Sequence, residues 1–503
     1  MQKNIGVEEA VEAAQAIGAN LAIPDERGDF NDLWQHTDDD EVRRQLDAAD
    51  EVEPEQADQA SGEITPSDVA FSDLFIEQHS EHVRYCEQGW LIWDGARWSH
   101  DDHGQVQEMG KQTARSILDL SKNEPDVERA SKLARWGARV LQKARIDAGT
   151  SLACSNPKIR VKISELDADP LLLNVLNGTI DLRTGELRPH RRGDLITRLC
   201  PVEYDESAEC PRWDSFLDTI FDGSKSLIDF VQRAVGYSLT GLTNEHCLFI
   251  CYGHGDNGKT VLLETISQLA ADYAKSSSIE TFMARGNRGG IPNDIARLAG
   301  VRLVTVGETP QYGAFNESLV KDLTGGDTIT ARFLHREFFD FRPQFKLWIR
   351  ANHKPRIKGT DHGIWRRIRL IPFGVTISKK KRDPYLLDKL RGELPGILAR
   401  AVRGCLAWQK HGLEPPLEVR DATESYKSDQ DVLGTYLKER VRRAPESCYI
   451  KARPLYNYYV KWCEESGERP EPEKDFSAAM IERGYKKERK KSGWRYVGIN
   501  FKT

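Results

Sequence analysis

A central region of the chain alternates short apolar runs with amphipathic stretches. Four apolar runs, at 248–252, 303–306, 347–349 and 368–371, predict buried strands. The stretch 260–269 has its apolar residues at roughly helical spacing, which predicts a helix soon after the first of these strands. Because strands that alternate with helices usually form parallel sheets, the pattern predicts an α/β domain with a mainly parallel sheet.

The residues before this region combine patterns typical of strands with patterns typical of helices. Aromatic and aliphatic residues at 90–98 surround an Asp-Gly turn and predict a β-hairpin, and 177–187 again has strand and turn residues. Between them, 106–122 and 127–148 predict two helices, the second of which ends at Gly149. This combination predicts an α+β domain.

The last residues of the chain are helical and then strand-like. Two predicted helices, at 455–463 and 476–483, precede a hairpin-like stretch at 485–497. Lysine and arginine are frequent in this region. Helices followed by a basic two-stranded wing suggest a winged-helix domain that binds DNA, and the alternative is a solvated charged face.

The first residues, up to about residue 66, are acidic and polar. A short helix at 7–17 and a strand at 21–23 are predicted before a polar linker at 50–67. The chain therefore divides into five predicted parts: an N-terminal part with its linker (1–66), the α+β domain (71–222), the α/β domain (224–376), a helical connector (377–430) and the basic winged-helix domain (434–503).

Composition limits the cellular setting. The chain has 503 residues, of which 30% are charged and 39% hydrophobic, and it contains no apolar run long enough to predict a membrane span. Its nine cysteines are scattered and form no C-x-x-C pair, which favours reduced thiols in a cytoplasmic protein. The net charge of −6 is unevenly distributed and does not by itself indicate a partner.

The most specific motif follows the first predicted strand of the central region. It fits the phosphate-binding pattern G-x-x-x-x-G-K-[ST] without a mismatch: Gly253, His254, Gly255, Asp256, Asn257, Gly258, Lys259 and Thr260. In such a loop, backbone N–H groups surround the phosphates of ATP, the lysine reaches the terminal phosphates and the threonine hydroxyl binds Mg²⁺. The predicted strand before it and helix after it favour this interpretation over an ordinary glycine-rich turn.

Polar residues at the ends of two later strands are candidates for the rest of an ATP site. Glu308 follows the strand at 303–306 and is a candidate catalytic acid and metal ligand. Asn352 follows the strand at 347–349 and is a candidate to position water or sense the γ-phosphate. The alternative for each is an ordinary strand-end residue.

Two basic segments lie in the same region. His335 and Arg336 separate short strands predicted at 329–334 and 338–341, and such a hairpin can reach a nucleic-acid backbone. Arg366 and Arg367 precede the last predicted strand, and an arginine there can stabilise charge on a transferring phosphoryl group, even from a neighbouring subunit. Solvated charges and surface ion pairs are the alternatives.

Taken in order, these motifs resemble those of superfamily III helicases. More narrowly, they resemble the phage and plasmid primase-helicases related to the poxvirus helicase-primase. The resemblance runs from about residue 71 to the C-terminus and includes Lys321, the Gly-Gly-Asp at 325–327 and the Asn-His-Lys-Pro at 352–355. It implies an AAA+-like motor that forms a hexameric ring on single-stranded or forked DNA, moves 3′ to 5′, and binds ATP and Mg²⁺ between subunits.

The resemblance also implies a role for each candidate residue. Lys259 and Thr260 would bind phosphate and Mg²⁺, Glu308 would be the catalytic acid, and Asn352 would be a sensor. Arg367 or its neighbour Arg366 would reach the next subunit as an arginine finger. The DNA contacts would come from His335, Arg336, Lys321, Lys486, Lys487 and Lys490. Many of these helicases have two acids at the end of the Glu308 strand, whereas here Gly307 precedes Glu308.

Residues 17–33 resemble the tail of a Toprim-type primase domain. Such a domain needs a glutamate and an Asp-x-Asp pair upstream, and the sequence leaves no room for them before Asp29. We therefore expect that this chain alone makes no primers and that a separate primase or polymerase acts with it.

The leading hypothesis is an ATP-driven DNA helicase for the replication of a phage, plasmid or integrated mobile element. The alternative is an ATP-dependent replication initiator or loader that binds DNA without processive unwinding. A small-molecule P-loop kinase fits less well, because it has no use for the hairpin, the basic C-terminal residues or an arginine from a neighbouring subunit.

Overall fold

The computed structural model describes residues 65–284, 293–308, 313–334, 337–357, 362–491 and 493–502. It also contains two short antiparallel strands, β1 (Asn20–Leu21) and β2 (Asp50–Glu51). The predicted helix at 7–17 and the DNA-binding candidates His335 and Arg336 lie outside the described residues. The chain divides into two compact units, Met1–His79 with Gln107–Asn156 and Ser80–Val106 with Pro157–Thr503.

Among the described residues, four helices lie mostly or wholly in the first unit. They are α1 (Asp68–His79), α2 (Gln105–Asn123), α3 (Val127–Val140) and α4 (Lys143–Ala153). The prediction of one helix over 127–148 was wrong, because the backbone is extended at Gln142 and separates α3 from α4. Gly149 does not end a helix but lies inside α4, where a Cβ atom would come within 2.0 Å of the Phe71 ring on α1. The glycine therefore allows α1 and α4 to pack closely.

Two small antiparallel sheets begin the second unit. The first contains β3 (Val83–Cys86), β4 (Gly89–Trp93) and β5 (Trp98–His100), and the second contains β6 (Leu172–Val175), β7 (Gly178–Asp181) and β8 (Glu186–Arg188). The hairpin predicted at 90–98 is confirmed, with Trp93 paired to Trp98. The strand and turn residues predicted at 177–187 form β7 and most of β8.

A five-stranded parallel sheet forms the centre of the second unit. Its strands are β9 (Leu248–Tyr252), β10 (Ala274–Ser277), β11 (Leu303–Val306), β14 (Lys346–Ala351) and β15 (Ile368–Pro372), in the order β10-β11-β14-β9-β15. The strands β12 (Ile329–Arg332) and β13 (Phe338–Phe341) form a separate antiparallel pair. Every pairing within the large sheet is parallel, which confirms the predicted α/β architecture.

Helices cover both faces of this sheet. They are α5 (Pro211–Ile220), α6 (Lys225–Leu239), α7 (Lys259–Ala270), α8 (Asn293–Ala296), α9 (Glu317–Gly325), α10 (His362–Trp365), α11 (Leu386–Arg391), α12 (Leu394–His411) and α13 (Leu417–Gln430). Phe249 and Cys251 of β9 lie in one core with residues of α6, α7 and α12. Leu248 and Ile250 of the same strand lie in a second core with residues of α9, α10 and α13. Burial on both faces explains why the strands are continuous apolar runs.

The C-terminal elements have a hydrophobic core of their own. They are α14 (Val432–Arg440), β16 (Val441–Arg443), β17 (Tyr449–Lys451), α15 (Ala452–Ser466), α16 (Glu473–Glu482), β18 (Lys487–Lys490), β19 (Gly493–Val497) and β20 (Ile499–Phe501). The core includes Tyr436, Tyr459 and Phe476. Both predicted helices are present, and β18 pairs with β19 as the predicted hairpin. Among the helices in the described part of the chain, none has the length and apolar character needed to cross a membrane.

Candidate nucleotide-binding site

The glycine-rich loop joins β9 to α7. The helix begins at Lys259, and Gly258 before it has a φ of 85°, a left-handed conformation that favours glycine. A Cβ atom at Gly258 would also come within 2.5 Å of the Ile220 side chain. No side chain caps α7, so its first backbone N–H groups are not used by an N-cap residue. The sequence therefore folds locally into a strand, a tight loop and a helix N-terminus that can receive an anion.

Lys259 lies inside this loop. Its side chain is buried, and Nζ donates to the Gly253 carbonyl at 2.6 Å, to Asn257 Oδ1 at 3.0 Å and to the His254 carbonyl at 3.2 Å. Burial lowers the pKa of the Lys259 ammonium, and the nearby Glu308 carboxylate acts in the opposite direction. The hydrogen bonds of the lysine thus tie the loop together from the inside.

The strand order brings the predicted catalytic residues together. Strand β14 lies between β9 and β11, and because all three are parallel, their carboxyl ends meet at one edge of the sheet. Glu308 lies two residues beyond the end of β11, and Asn352 lies one residue beyond the end of β14. Both residues line a cavity of about 860 Å³ that Lys259 and Thr260 also line. Ligands commonly bind in a crevice at this edge of an open parallel sheet.

Arg350 was missed by the sequence analysis and lies between the candidate metal ligands. Its Nη1 atom donates to Thr260 Oγ1 at 3.0 Å, and its Nε atom lies 3.9 Å from Glu308 Oε1. A sequence signal existed, because Arg350 interrupts the apolar run of β14 two residues before Asn352. Side chains two residues apart along a strand point to the same side, and both residues line the cavity.

The cavity extends beyond the loop, which leaves room for more than phosphate groups. Phe216 and Thr219 of α5 form part of one wall, and the segment from Lys381 to Leu386 forms another. Within the segment, Arg382 forms an ion pair with Asp256 of the loop at 2.6 Å. The backbone carbonyl of Asp256 also accepts a hydrogen bond from the Ile377 N–H at 2.8 Å. Arg382 belongs to none of the motifs found in the sequence.

The two candidate finger arginines lie away from the cavity and differ in exposure. Arg367 is buried, with Nε donating to Thr324 Oγ1 at 3.0 Å and Nη1 donating to the Gly363 carbonyl at 2.7 Å. Arg366 is exposed. Because a finger has to leave its own subunit, the contacts of Arg367 suit an internal anchor between α9 and β15.

The described DNA-binding candidates also lie away from the nucleotide cavity. Lys321 lies half-buried on α9, and Lys490 is exposed at the end of β18. Lys486 lies 3.8 Å from a carboxylate oxygen of Glu446. Lys487 has its Nζ atom 5.3 Å from the centre of the Trp494 ring. Three of these lysines are thus grouped at the C-terminal hairpin.

The oxygen atoms in the cavity fit a magnesium ion that arrives with a nucleotide. Magnesium commonly takes one or two protein oxygen ligands and fills its other positions with phosphate oxygens and water. The Thr260 hydroxyl and the Glu308 carboxylate are such oxygens, and both line the cavity. Among the described residues, no group of three or more His, Cys, Asp or Glu side chains could hold a metal without such a partner.

The chain is similar to several known proteins. Residues 72–222 match the family described as "D5 N terminal like". The predicted helicase L207/L206 of Acanthamoeba polyphaga mimivirus is 30% identical over 327 residues, which cover 60% of this chain and 34% of that protein. The predicted helicase 184R of Invertebrate iridescent virus 6 is 23% identical over 492 residues, covering 78% of this chain and 49% of that protein.

A third relative is named for a different activity. The predicted primase C962R of African swine fever virus is 26% identical over 339 residues, which cover 60% of this chain and 34% of that protein. Among solved structures, the NrS-1 C-terminal region aligns with 85% of this chain and 99% of its own length, at 9% identity and a TM-score of 0.47. That structural similarity is too weak to support an argument.

The chain is thus similar to proteins of large DNA viruses that are named as helicases or primases. Residues 72–222 match the D5 N terminal like family model, and the viral relatives agree with the resemblance to primase-helicases that the motifs indicated. The chain spans about a third to a half of the length of the three curated relatives described above. The resemblance of residues 17–33 to a Toprim tail stays a prediction.

Proposed function

We propose that the chain is an ATP-dependent DNA helicase that acts in the replication of a mobile or viral-type genetic element. The observation that carries the proposal is the meeting of Lys259, Thr260, Glu308 and Asn352 in one cavity at the carboxyl edge of a parallel sheet. The helicase names of the relatives support a helicase activity. The cavity supports ATP as the nucleotide that this activity would hydrolyse.

In this proposal each of the four residues has a separate role in ATP binding and hydrolysis. Lys259 and the amides at the start of α7 bind the phosphates, because a lysine and a helix N-terminus both attract negative charge. Thr260 and Glu308 hold Mg²⁺, which would neutralise charge on the terminal phosphates. Glu308 also orients the attacking water, and Asn352 contacts the terminal phosphate or that water.

The proposal extends to an assembly. Six subunits would form a ring on single-stranded DNA at a replication fork. The ring would move from 3′ to 5′ along that strand. The exposed position of Arg366 supports it as the finger that completes a neighbour's ATP site. Lys321, the hairpin that carries His335 and Arg336, and the basic C-terminal hairpin would contact DNA. A separate primase or polymerase would supply primers.

The direct test is to replace the loop lysine. Lys259→Ala should lower DNA-stimulated ATP hydrolysis by about 100-fold or more, because it removes a charge that stabilises the transferring phosphoryl group. Lys410→Ala, which changes an exposed lysine near the end of α12, is the matched control and should hydrolyse ATP at the wild-type rate. A Lys259→Ala variant with normal hydrolysis would place the ATP site elsewhere.

A second measurement separates a helicase from a loader. Wild-type protein should displace the labelled strand of a forked DNA substrate in the presence of ATP and Mg²⁺, and Lys259→Ala should not. DNA-stimulated hydrolysis without strand displacement would instead favour the initiator or loader.

A further inference from the structure

Arg350 places a positive charge at the two side chains that would hold magnesium. It donates to Thr260 Oγ1 at 3.0 Å, and its Nε atom is 3.9 Å from Glu308 Oε1. The hydroxyl oxygen that accepts this hydrogen bond is the atom that a phosphate-loop threonine offers to Mg²⁺. The guanidinium and a bound metal ion would therefore compete for the same oxygen.

The contacts of Arg350 leave part of its hydrogen-bonding capacity unused. Its Nε atom is buried and has no hydrogen-bond partner among the residues that the structure describes. The distance to Glu308 suits electrostatic attraction but exceeds that of a hydrogen bond. A guanidinium has five N–H donors in a planar fork that matches phosphate oxygens. Arg350 can therefore gain contacts by turning toward a phosphate group that enters the cavity.

The hydrogen bonds of the Lys259 ammonium group are all made to residues of the glycine-rich loop. Its Nζ atom has three acceptors, two carbonyls and the Asn257 side chain. Among the described residues, Arg350 is a cationic side chain that contacts both candidate metal ligands, Thr260 and Glu308. Arg350 thus supplies charge to the metal side of the cavity, whereas Lys259 supplies it to the loop side.

We propose that Arg350 is a built-in cation that takes the place of magnesium in the nucleotide-free site and then binds the nucleotide phosphates. This inference rests on the proposed function, because it assumes that the cavity binds a nucleoside triphosphate. Its consequence is a site that binds ATP with appreciable affinity even without a metal ion. Magnesium would then be required for hydrolysis more strictly than for binding.

The test compares ATP affinity in Mg²⁺ and in EDTA for four proteins. Arg350→Met removes the charge and keeps much of the side-chain length, and Arg350→Lys keeps the charge. Arg420→Met is the matched control, because Arg420 is exposed on α13 and does not line the cavity. Isothermal titration calorimetry with a slowly hydrolysed ATP analogue gives each dissociation constant, and the readout is the ratio of the EDTA value to the Mg²⁺ value.

The ratio should be about tenfold or more larger for Arg350→Met than for wild type, because a charged hydrogen-bond partner of phosphate is lost only where no metal replaces it. Arg350→Lys keeps the charge but not the planar fork, so its ratio should lie between those of wild type and Arg350→Met. Arg420→Met should keep a ratio near that of wild type. The inference would be overturned if Arg350→Met had the same ratio as wild type, whether its affinity were unchanged or fell equally in both buffers. Arg350 would then have only a structural role. Absence of binding by wild type in both buffers would instead overturn the nucleotide site itself.

Discussion

At the scale of single residues, burial separates arginines that the sequence presents as equivalent. Arg366 and Arg367 are adjacent, and both lie in a run that resembles a finger motif. One is exposed, while the other donates hydrogen bonds to Thr324 and Gly363 inside its own subunit. Only side-chain packing makes this distinction, so a pattern of residue types cannot provide it.

This difference predicts opposite effects of two alanine substitutions. Arg367→Ala should lower the free energy of unfolding by about 2–3 kcal/mol, because it leaves buried acceptors without a charged donor. Arg366→Ala should leave unfolding unchanged but should abolish hydrolysis without preventing nucleotide binding, as expected for a finger. Urea denaturation and an ATPase assay measure the two effects. The finger would instead be Arg367 if the Arg367→Ala protein were stable but did not hydrolyse ATP, and if the Arg366→Ala protein were active.

At the scale of elements, the sequence predicted strands well where they are buried and poorly where they are not. The residues of β9 and β11 coincide with their apolar runs, because both faces of these strands are covered. Strand β10 has the sequence AKSS and lies at the sheet edge, so it has no apolar signal. The break between α3 and α4 was missed because helical periodicity continues through Gln142. Strand pairing, which unites Glu308 and Asn352 with the loop, needs the sheet order and cannot be obtained from local patterns.

The C-terminal hairpin and the helix before it differ in charge, which bears on how DNA would bind. Helix α16 has three acidic residues and one lysine, Lys474. Strand β18 has three basic residues, and the half-exposed Trp494 lies across from Arg489 on the paired strand. Phosphates would be repelled by the helix and attracted by the hairpin. The hairpin is therefore the element from which we expect DNA contacts in the proposed winged-helix domain.

A pair of lysine substitutions checks this expectation. Lys490→Ala in the hairpin should weaken binding of a single-stranded oligonucleotide and reduce the slope of log affinity against log salt by about one unit. Trp494→Ala should weaken binding by about 1–3 kcal/mol if a base stacks on the ring. Lys474→Ala on α16 is the matched control and should change neither quantity. Fluorescence anisotropy at several salt concentrations measures all three, and a larger effect at Lys474 would assign the contact to the helix.

At the scale of the whole molecule, the proposed finger residue lies outside the candidate ATP site of its own chain. The cavity brings together the loop, Glu308 and Asn352, but Arg366 does not line it. If a neighbouring subunit supplies the arginine, each complete site contains the loop of one chain and the finger of another. Hydrolysis would then depend on assembly, and defects in the two halves of the site would lie on different faces of the subunit.

Two inactive variants should therefore restore activity when mixed. Lys259→Ala keeps the finger and loses the loop lysine, whereas Arg366→Ala keeps the loop and loses the finger. After random assembly from equal amounts, roughly a quarter of the interfaces would pair an intact loop with an intact finger, as expected for a head-to-tail ring. The mixture should then hydrolyse ATP at about a quarter of the wild-type rate under ATPase conditions that favour assembly, while each variant alone stays inactive. A mixture as inactive as its components, formed from variants that each assemble like wild type, would show that no finger at Arg366 acts between subunits.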